Sequence, residues 1–437
     1  MKLTQREPSH DYRLLVALVT VTVAICVLAV WSFDRTRAWS SLFLLANLVG
    51  PTTDSLLHGR GLTVCTEAMG TVGDPICFHA GRMPLPSLVV GLGVRLLGDR
   101  YMLVAFFKAL LLLIPLEVAL YLVWLRMPGP GWRRIAVVAL LLAPFGMTAF
   151  LANVVNLQVE EGYTYSFLAL AVALLLFGWT GGIGRLGGRA EVQGVLFALA
   201  VDGVYLAKSS MVLAVVVLVL GFLVVERRTS PRVVTLLLIL AGPIGWAMHQ
   251  HHVSGRYSVG TSVDGLNLHK ANNPEFLEHY PPAPGASLDQ FDQDLSRGVR
   301  FDDEWSFDDY HRAKAVEYIK THPGATLRGD LRKLGVIFVS VRKYGSTESG
   351  GGMRVAEMAG LVVFRLMLWG ALGGAAWVIV RGRAGGGGAS LMPAGVIFLA
   401  LVAACTLPYV VGFAYTRHVS VLIYPAALMC CRLLLDE

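Results

Sequence analysis

Long apolar runs alternate along this chain with short polar links, several of them rich in arginine, and with two long polar segments. Ten runs read as membrane helices: Leu14–Trp31, Tyr101–Leu125, Ile135–Leu151, Tyr165–Trp179, Gly194–Leu206, Met211–Val225, Val233–His249, Met358–Val380, Met392–Val411 and Val419–Leu434. About 20 apolar residues cross the ~30 Å hydrocarbon core as a helix. The stretch Gln193–Arg228 would reach about 50 Å as one helix, so the pattern folds it back at Ala207-Lys208-Ser209. Pro84–Leu97 is short, contains Arg95 and begins with Pro84 and Pro86, which predicts a re-entrant or interfacial helix. A full crossing there would invert every later loop.

Charge then orients the pattern. The basic links Arg126–Arg134, Arg185–Arg189, Arg227–Arg232 and Arg381–Arg383 belong inside by the positive-inside rule. Residues 32–82 and 250–356 then fall outside, together with 153–162, 415–418 and the Lys208 turn. Both termini are expected in the cytoplasm, and Leu14–Trp31 reads as an uncleaved first span, having no small-residue cleavage site behind it. The expected fold is an all-α polytopic membrane protein of about ten helices. A membrane module (1–249) carries the first outer loop (32–82) and the re-entrant helix (84–97). A mixed outer cap (250–356) and the last membrane helices (357–437) follow. Within the outer segments, Asp54 stands at an N-cap-like position, and Ser306–Lys320 reads as a helix with Asp308 and Asp309 in its first turn.

Composition agrees with a membrane protein: 55% of the 437 residues are hydrophobic and 15% charged, and mean hydropathy is +0.60. Soluble domains carry about 25% charged residues. The net charge of +7 follows from the cytoplasmic links and is no sign of nucleic acid. Cys26, Cys405, Cys430 and Cys431 sit in apolar runs as small hydrophobes. Cys65 and Cys77 share the first outer loop, where either a disulfide or two free thiols fits the pattern.

The topology, rather than any single motif, gathers the ionisable residues on one face. Asp34, Asp54, Asp74, His79 and Arg82 lie in the first outer loop. Glu160 and Glu161 open a span, Lys208 sits in its turn, and Arg417-His418 open the last span. Basic side chains suit a phosphate and a carboxylate suits a proton from an acceptor hydroxyl. Each residue has a structural alternative: snorkelling for Lys208, a solvated helix start for Glu160-Glu161, interfacial anchoring for Arg82 and Arg417, capping for Asp54. His249, His251 and His252 cluster at a helix end without a carboxylate at metal-ligand spacing.

The order of motifs resembles the fold-C membrane glycosyltransferases, in particular the protein O-mannosyltransferase and lipid A aminoarabinose transferase group. Gly59-Arg60-Gly61-Leu62, followed by Arg82-Met83-Pro84-Leu85-Pro86 and an apolar run to Gly98, is similar to the family's entry segment. Leu142-Ala143-Pro144-Phe145 with Glu160-Glu161 resembles its second outer loop, and Leu206-Ala207-Lys208 its threonine-lysine turn, with Ala207 in place of threonine. Gly265-Leu266-Asn267-Leu268 with Ala271-Asn272-Asn273-Pro274, and Arg417-His418 with Tyr424-Pro425, resemble its later outer motifs. The family's first-loop catalytic acid falls in register near Asn47, between Asp34 and Asp54.

The resemblance implies transfer of a sugar from a polyprenyl-phosphate donor to a hydroxyl of a glycan, lipid or protein acceptor. The reaction would run at the periplasmic face of a bacterial inner membrane, by a single inverting displacement. In that scheme Asp54 (or Asp34) is the base, and Glu160 or Glu161 positions the acceptor or a divalent cation. Lys208, Arg82 and Arg417 hold the phosphate, and His79, His418 and Asn272 meet acceptor or sugar. The alternatives from other classes are a flippase for a lipid-linked sugar intermediate and a non-catalytic membrane subunit.

Overall fold

The computed structural model describes residues 12–32, 49–66, 75–157, 159–179, 190–276, 280–281, 294–340, 355–384 and 391–436. Helix dominates these residues because their apolar runs leave the backbone no polar partner in lipid other than itself. The elements run in order α1 (Tyr12–Ser32), α2 (Val49–Leu57), β1 (Val64–Thr66), β2 (Ile76–Phe78), α3 (Pro84–Leu97), α4 (Tyr101–Trp124), α5 (Trp132–Leu142), α6 (Thr148–Val155) and α7 (Glu161–Ala173), which continues as a π turn over Leu174–Trp179. The hairpin α8 (Ala190–Ala207) and α9 (Val212–Val225) comes next, then α10 (Thr229–Ser254) and α11 (Asp264–Ala271). The last elements are α12 (Glu304–Thr321), α13 (Pro323–Phe338), α14 (Val355–Arg383), α15 (Met392–Val411), α16 (Thr416–Val419) and α17 (Ile423–Asp436).

Among the described residues, seven helices are long and apolar enough to cross a membrane: Tyr12–Ser32, Tyr101–Trp124, Glu161–Trp179, Thr229–Ser254, Glu357–Arg383, Met392–Val411 and Arg417–Asp436. The chain is that of an all-α, multi-pass membrane protein. The expected ten spans are not met. The run 135–151 breaks at Ala143–Gly146, where Pro144 lacks an N–H to continue the ladder, leaving α5 and the eight-residue α6. The hairpin divides at Lys208 as the pattern predicts, yet α9 has only 14 residues and α8 carries Glu191 and Asp202.

Helix α7 is the central column, 89% of its span window being buried, against 22% for α1 and for α10. It packs on α4, α8 and α17, and its Tyr165 stacks on Phe150 beside Phe145 and Tyr424. α10 lies along α8, where Gly194 and Gly242 admit close approach of Thr235 and Asp202.

Outside the bundle, β1 and β2 pair antiparallel with Cys65 opposite Cys77, and the two cysteines form a disulfide. A small separate core of Ile76, Phe78, Leu266 and Phe307 joins this ribbon to α11 and α12. Helix α12 begins two residues before the expected Ser306. Asp303 caps it, accepting the Ser306 amide at 2.6 Å, so Asp308 and Asp309 sit one turn further in. Asp54 is no N-cap either, because α2 starts at Val49 and the residue is interior. Asp34, Asp74, the helix-like 39–48 segment and the glycine-rich stretches 348–352 and 385–388 lie outside the described residues.

Candidate functional site

The first turn of α7, the end of α8 and the start of the last span meet at one end of the bundle. Glu160 closes the turn into α7, its carbonyl accepting the Tyr163 amide. Glu161 is the first residue of that helix, where the dipole favours an acid, and is 3% exposed. Lys208 ends α8 because its backbone leaves the helix for an extended conformation (φ −157°, ψ 119°). Its Nζ lies 2.7 Å from Glu161 Oε1. The same oxygen faces Arg417 Nε at 3.6 Å and His418 Nε2 at 4.0 Å. Arg82, just before α3, reaches Glu160 Oε1 at 3.3 Å.

An aromatic wall closes the arrangement. Tyr409 of α15 stacks on His418 with ring centroids 4.2 Å apart, and its centroid is 5.7 Å from Lys208 Nζ. The Tyr409 hydroxyl is 2.8 Å from Ser210 Oγ. The Arg417 guanidinium rests over Tyr415 at 5.0 Å. Two carboxylates are therefore met by three permanent cations. Lys208 is nearly buried, while the Arg82 and Arg417 side chains are 40% and 43% exposed. A surplus of positive charge with two half-exposed guanidiniums suits an anion. The two carboxylates face basic side chains, a poor donor set for a divalent cation. Among the described residues no group of three or more His, Cys, Asp or Glu side chains is placed to hold a metal ion. His249 and His251 stack instead on Trp246 and Tyr257.

Glu160, Glu161, Lys208, Arg82, Arg417 and His418 thus come together, as the sidedness argument requires. The other sequence candidates have different surroundings. Asp54 takes His58 at 3.2 Å and Arg60 at 3.0 Å, both in the turn just after its helix. The His79 ring bonds Thr63 at 2.8 Å. Asn272 donates to the Leu268 and Val411 carbonyls, both at 2.9 Å, a main-chain tether rather than an open polar surface.

Several residues that sequence reasoning passed over support the site. Asp264, at the start of α11, accepts Ser209 Oγ at 3.1 Å and so fixes the Lys208 turn to the cap. Burial pushes its carboxyl up, against hydrogen bonds from Thr261 and Ser209 that pull it down. On the other side, Lys333 and Tyr280 join Asn272 in holding the carbonyls of Gly412, Ala414 and Val411, the link that leads into Arg417. The Glu304 carboxylate accepts the amides of His79 and Ala80 and the Ser262 hydroxyl, tying the first outer loop to the cap. Of these, Asp264 and Glu304 carry a local signal, an acid at a helix start.

Among the described residues, several basic side chains named for the inner links lie at the opposite end, while Arg185 and Arg189 fall outside the described residues. Arg126 donates to the Phe177 carbonyl, Arg228 pairs with Glu226, and Arg381 and Arg383 lie in the last turn of α14. No family model, curated protein or solved structure matches the chain.

Proposed function

We propose that this protein is a membrane glycosyltransferase of the bacterial inner membrane, moving a sugar from a polyprenyl-phosphate donor to an acceptor hydroxyl at the periplasmic face. The observation that carries the reading is the buried Glu161 carboxylate met by Lys208, Arg417 and His418, with Arg82–Glu160 as a second pair. A disulfide in the adjoining ribbon supports an oxidising outer compartment for this end, and the arginines at the other end support a cytoplasmic one. Both favour the same sidedness.

In this reading the half-exposed Arg417 and Arg82 take the lipid phosphate, and Lys208 meets the charge that grows on it. The acceptor oxygen attacks the anomeric carbon as the bond from that carbon to the phosphate oxygen breaks. The bonding pair leaves with the phosphate, the configuration inverts, and the hydroxyl proton passes to a carboxylate. Glu161 is the carboxylate nearest the cations; Asp54, held by Arg60 and His58, is the second candidate. Preorganised cations at such a centre contribute on the order of 3 kcal/mol each to the transition state. The acceptor-binding roles of His79, His418 and Asn272 and the position of α3 as a re-entrant helix belong to the same proposal.

The test is sugar transfer by purified protein in vesicles, with membrane accumulation followed alongside. E161Q is expected to abolish transfer while the protein accumulates, and K208A to weaken polyprenyl-phosphate binding more than acceptor binding. Loss in D54N with transfer kept in E161Q would move the base to Asp54. Transfer kept in both would remove the assignment. Movement of labelled carrier across empty vesicles with no acceptor present would favour a flippase instead.

A further inference from the structure

Lys108 lies within the apolar run of α4, yet its side chain is fully buried. Its ammonium donates to three main-chain carbonyls, those of Asn156 at 2.6 Å and of Asn153 and Val159 at 3.3 Å. It also sits 4.7 Å from the centroid of the Tyr163 ring. Burying an ammonium costs several kcal/mol unless each N–H finds an acceptor, and here the three donors match three acceptors. The carbonyls belong to the end of α6 and the link that follows, where the negative end of the helix dipole attracts a cation.

That link delivers the chain to Glu160 and Glu161. It is also pinned from the far side. A Cβ on Gly162 would stand 2.3 Å from the Asn153 carbonyl oxygen, so α6 and α7 touch backbone to backbone. Asn153 Nδ2 bonds the Tyr165 hydroxyl at 2.6 Å. With one wall fixed by contact, the ammonium holds the other. We propose that Lys108 is a positioning residue: by gathering the Asn153, Asn156 and Val159 carbonyls, it sets where the Glu160–Glu161 pair meets Arg82, Lys208 and Arg417. It touches no reacting group in this scheme. The activity consequence rests on the glycosyltransferase reading; the placement of the two carboxylates does not.

The experiment therefore reads placement directly. Full-length protein in detergent is treated with a water-soluble carbodiimide and an amine, and the modified carboxylates are mapped by mass spectrometry. In K108M, labelling of Glu160 and Glu161 is expected to rise several-fold. Glu304 of the cap and Glu117, on the same helix as Lys108, should stay at wild-type levels. Sugar transfer should fall about 100-fold, as for misplacement near 1 Å. Unchanged labelling of Glu160 and Glu161 would overturn the proposal. So would an equal rise at Glu117 and Glu304, which would make Lys108 a prop for the fold as a whole. If K108M does not accumulate, K108Q, which keeps two N–H donors, carries the same labelling test. Failure of both to accumulate would assign the lysine to folding and overturn the proposal. Absence of sugar transfer in the wild-type protein would sink the enzyme reading and leave the labelling result standing.

Discussion

Replacing Glu304 by alanine probes how the outer cap is held together. The side chain is 1% exposed. Its Oε2 accepts the His79 amide at 3.0 Å, the Ala80 amide at 2.9 Å and Ser262 Oγ at 2.6 Å. Ala80 and Ser262 are themselves fully buried, and the Ser262 amide returns a hydrogen bond to the Ala80 carbonyl at 2.9 Å. E304A would orphan three donors, two of them fully buried; at ~1–3 kcal/mol for each buried unsatisfied group, about 3 kcal/mol is expected. E304Q keeps the shape and one acceptor oxygen, loses the charge assistance and places an amide where Oε1 has no partner, so a smaller loss on the order of 1 kcal/mol is expected. Hydrogen exchange followed by mass spectrometry reads this locally. The amides of Ala80 and Ser262 should exchange about 100-fold faster in E304A and less than about 10-fold faster in E304Q, since 1.4 kcal/mol is a decade. Wild-type exchange in E304A, or equal effects of the two variants, would refute the claim that this carboxylate ties the two outer segments.

The cap should also loosen in acid. Burial lowers the imidazoles of His269 to about 4 and His311 to about 3, with Lys314 adding to the first shift and His269 to the second. Their Nδ1 atoms lie 2.8 Å apart, with Ser296 on the far side of His311 and Asp308 and Arg312 on the same helix as His311, α12. An unfolded histidine takes its proton near pH 6.5, so the stability is fully present above that value. It is lost as pH falls from about 6.5 towards 3, by up to about 1.4 kcal/mol per pH unit for each proton. Thermal melts between pH 7.5 and 4.5 should show the loss, and H311N should flatten it; an equal slope in the variant would rule the pair out. Gly265→Ala should undo the seat of α11 on α12, because the new Cβ would stand 2.3 Å from the Asp308 carbonyl oxygen and threaten the Gly265 amide bond to Asp308. Faster exchange across 264–271 checks it, and wild-type protection would refute it.

Much of the bundle was legible because lipid imposes one rule on every span, an apolar run of helical length. That rule finds α1, α4, α10, α14 and α15, and the break at Lys208 follows from length alone. It fails at 135–151, where Pro144 outweighs composition, and it overcounts the short α9. The convergence of Glu160, Glu161, Lys208, Arg82, Arg417 and His418 was legible as sidedness, since span ends must alternate between faces. The exact pairing was not, and neither were Asp264 and Tyr409, whose partners come from distant segments. Lys108 was hidden for a different reason: a lone lysine in an apolar run reads as an edge residue until three carbonyls are found around it. Asp54 misled because two threonines before an acid imitate a cap that the actual helix start at Val49 does not use.

The bond from the Ala80 amide to Glu304 spans 224 residues of sequence. A ribosome adding 5–20 residues per second needs roughly 10 to 45 s to cover that distance. During that interval the ribbon is already synthesised, while the carboxylate that accepts its amide has yet to be made. The join between the ribbon and α12 is therefore completed late in the growth of the chain.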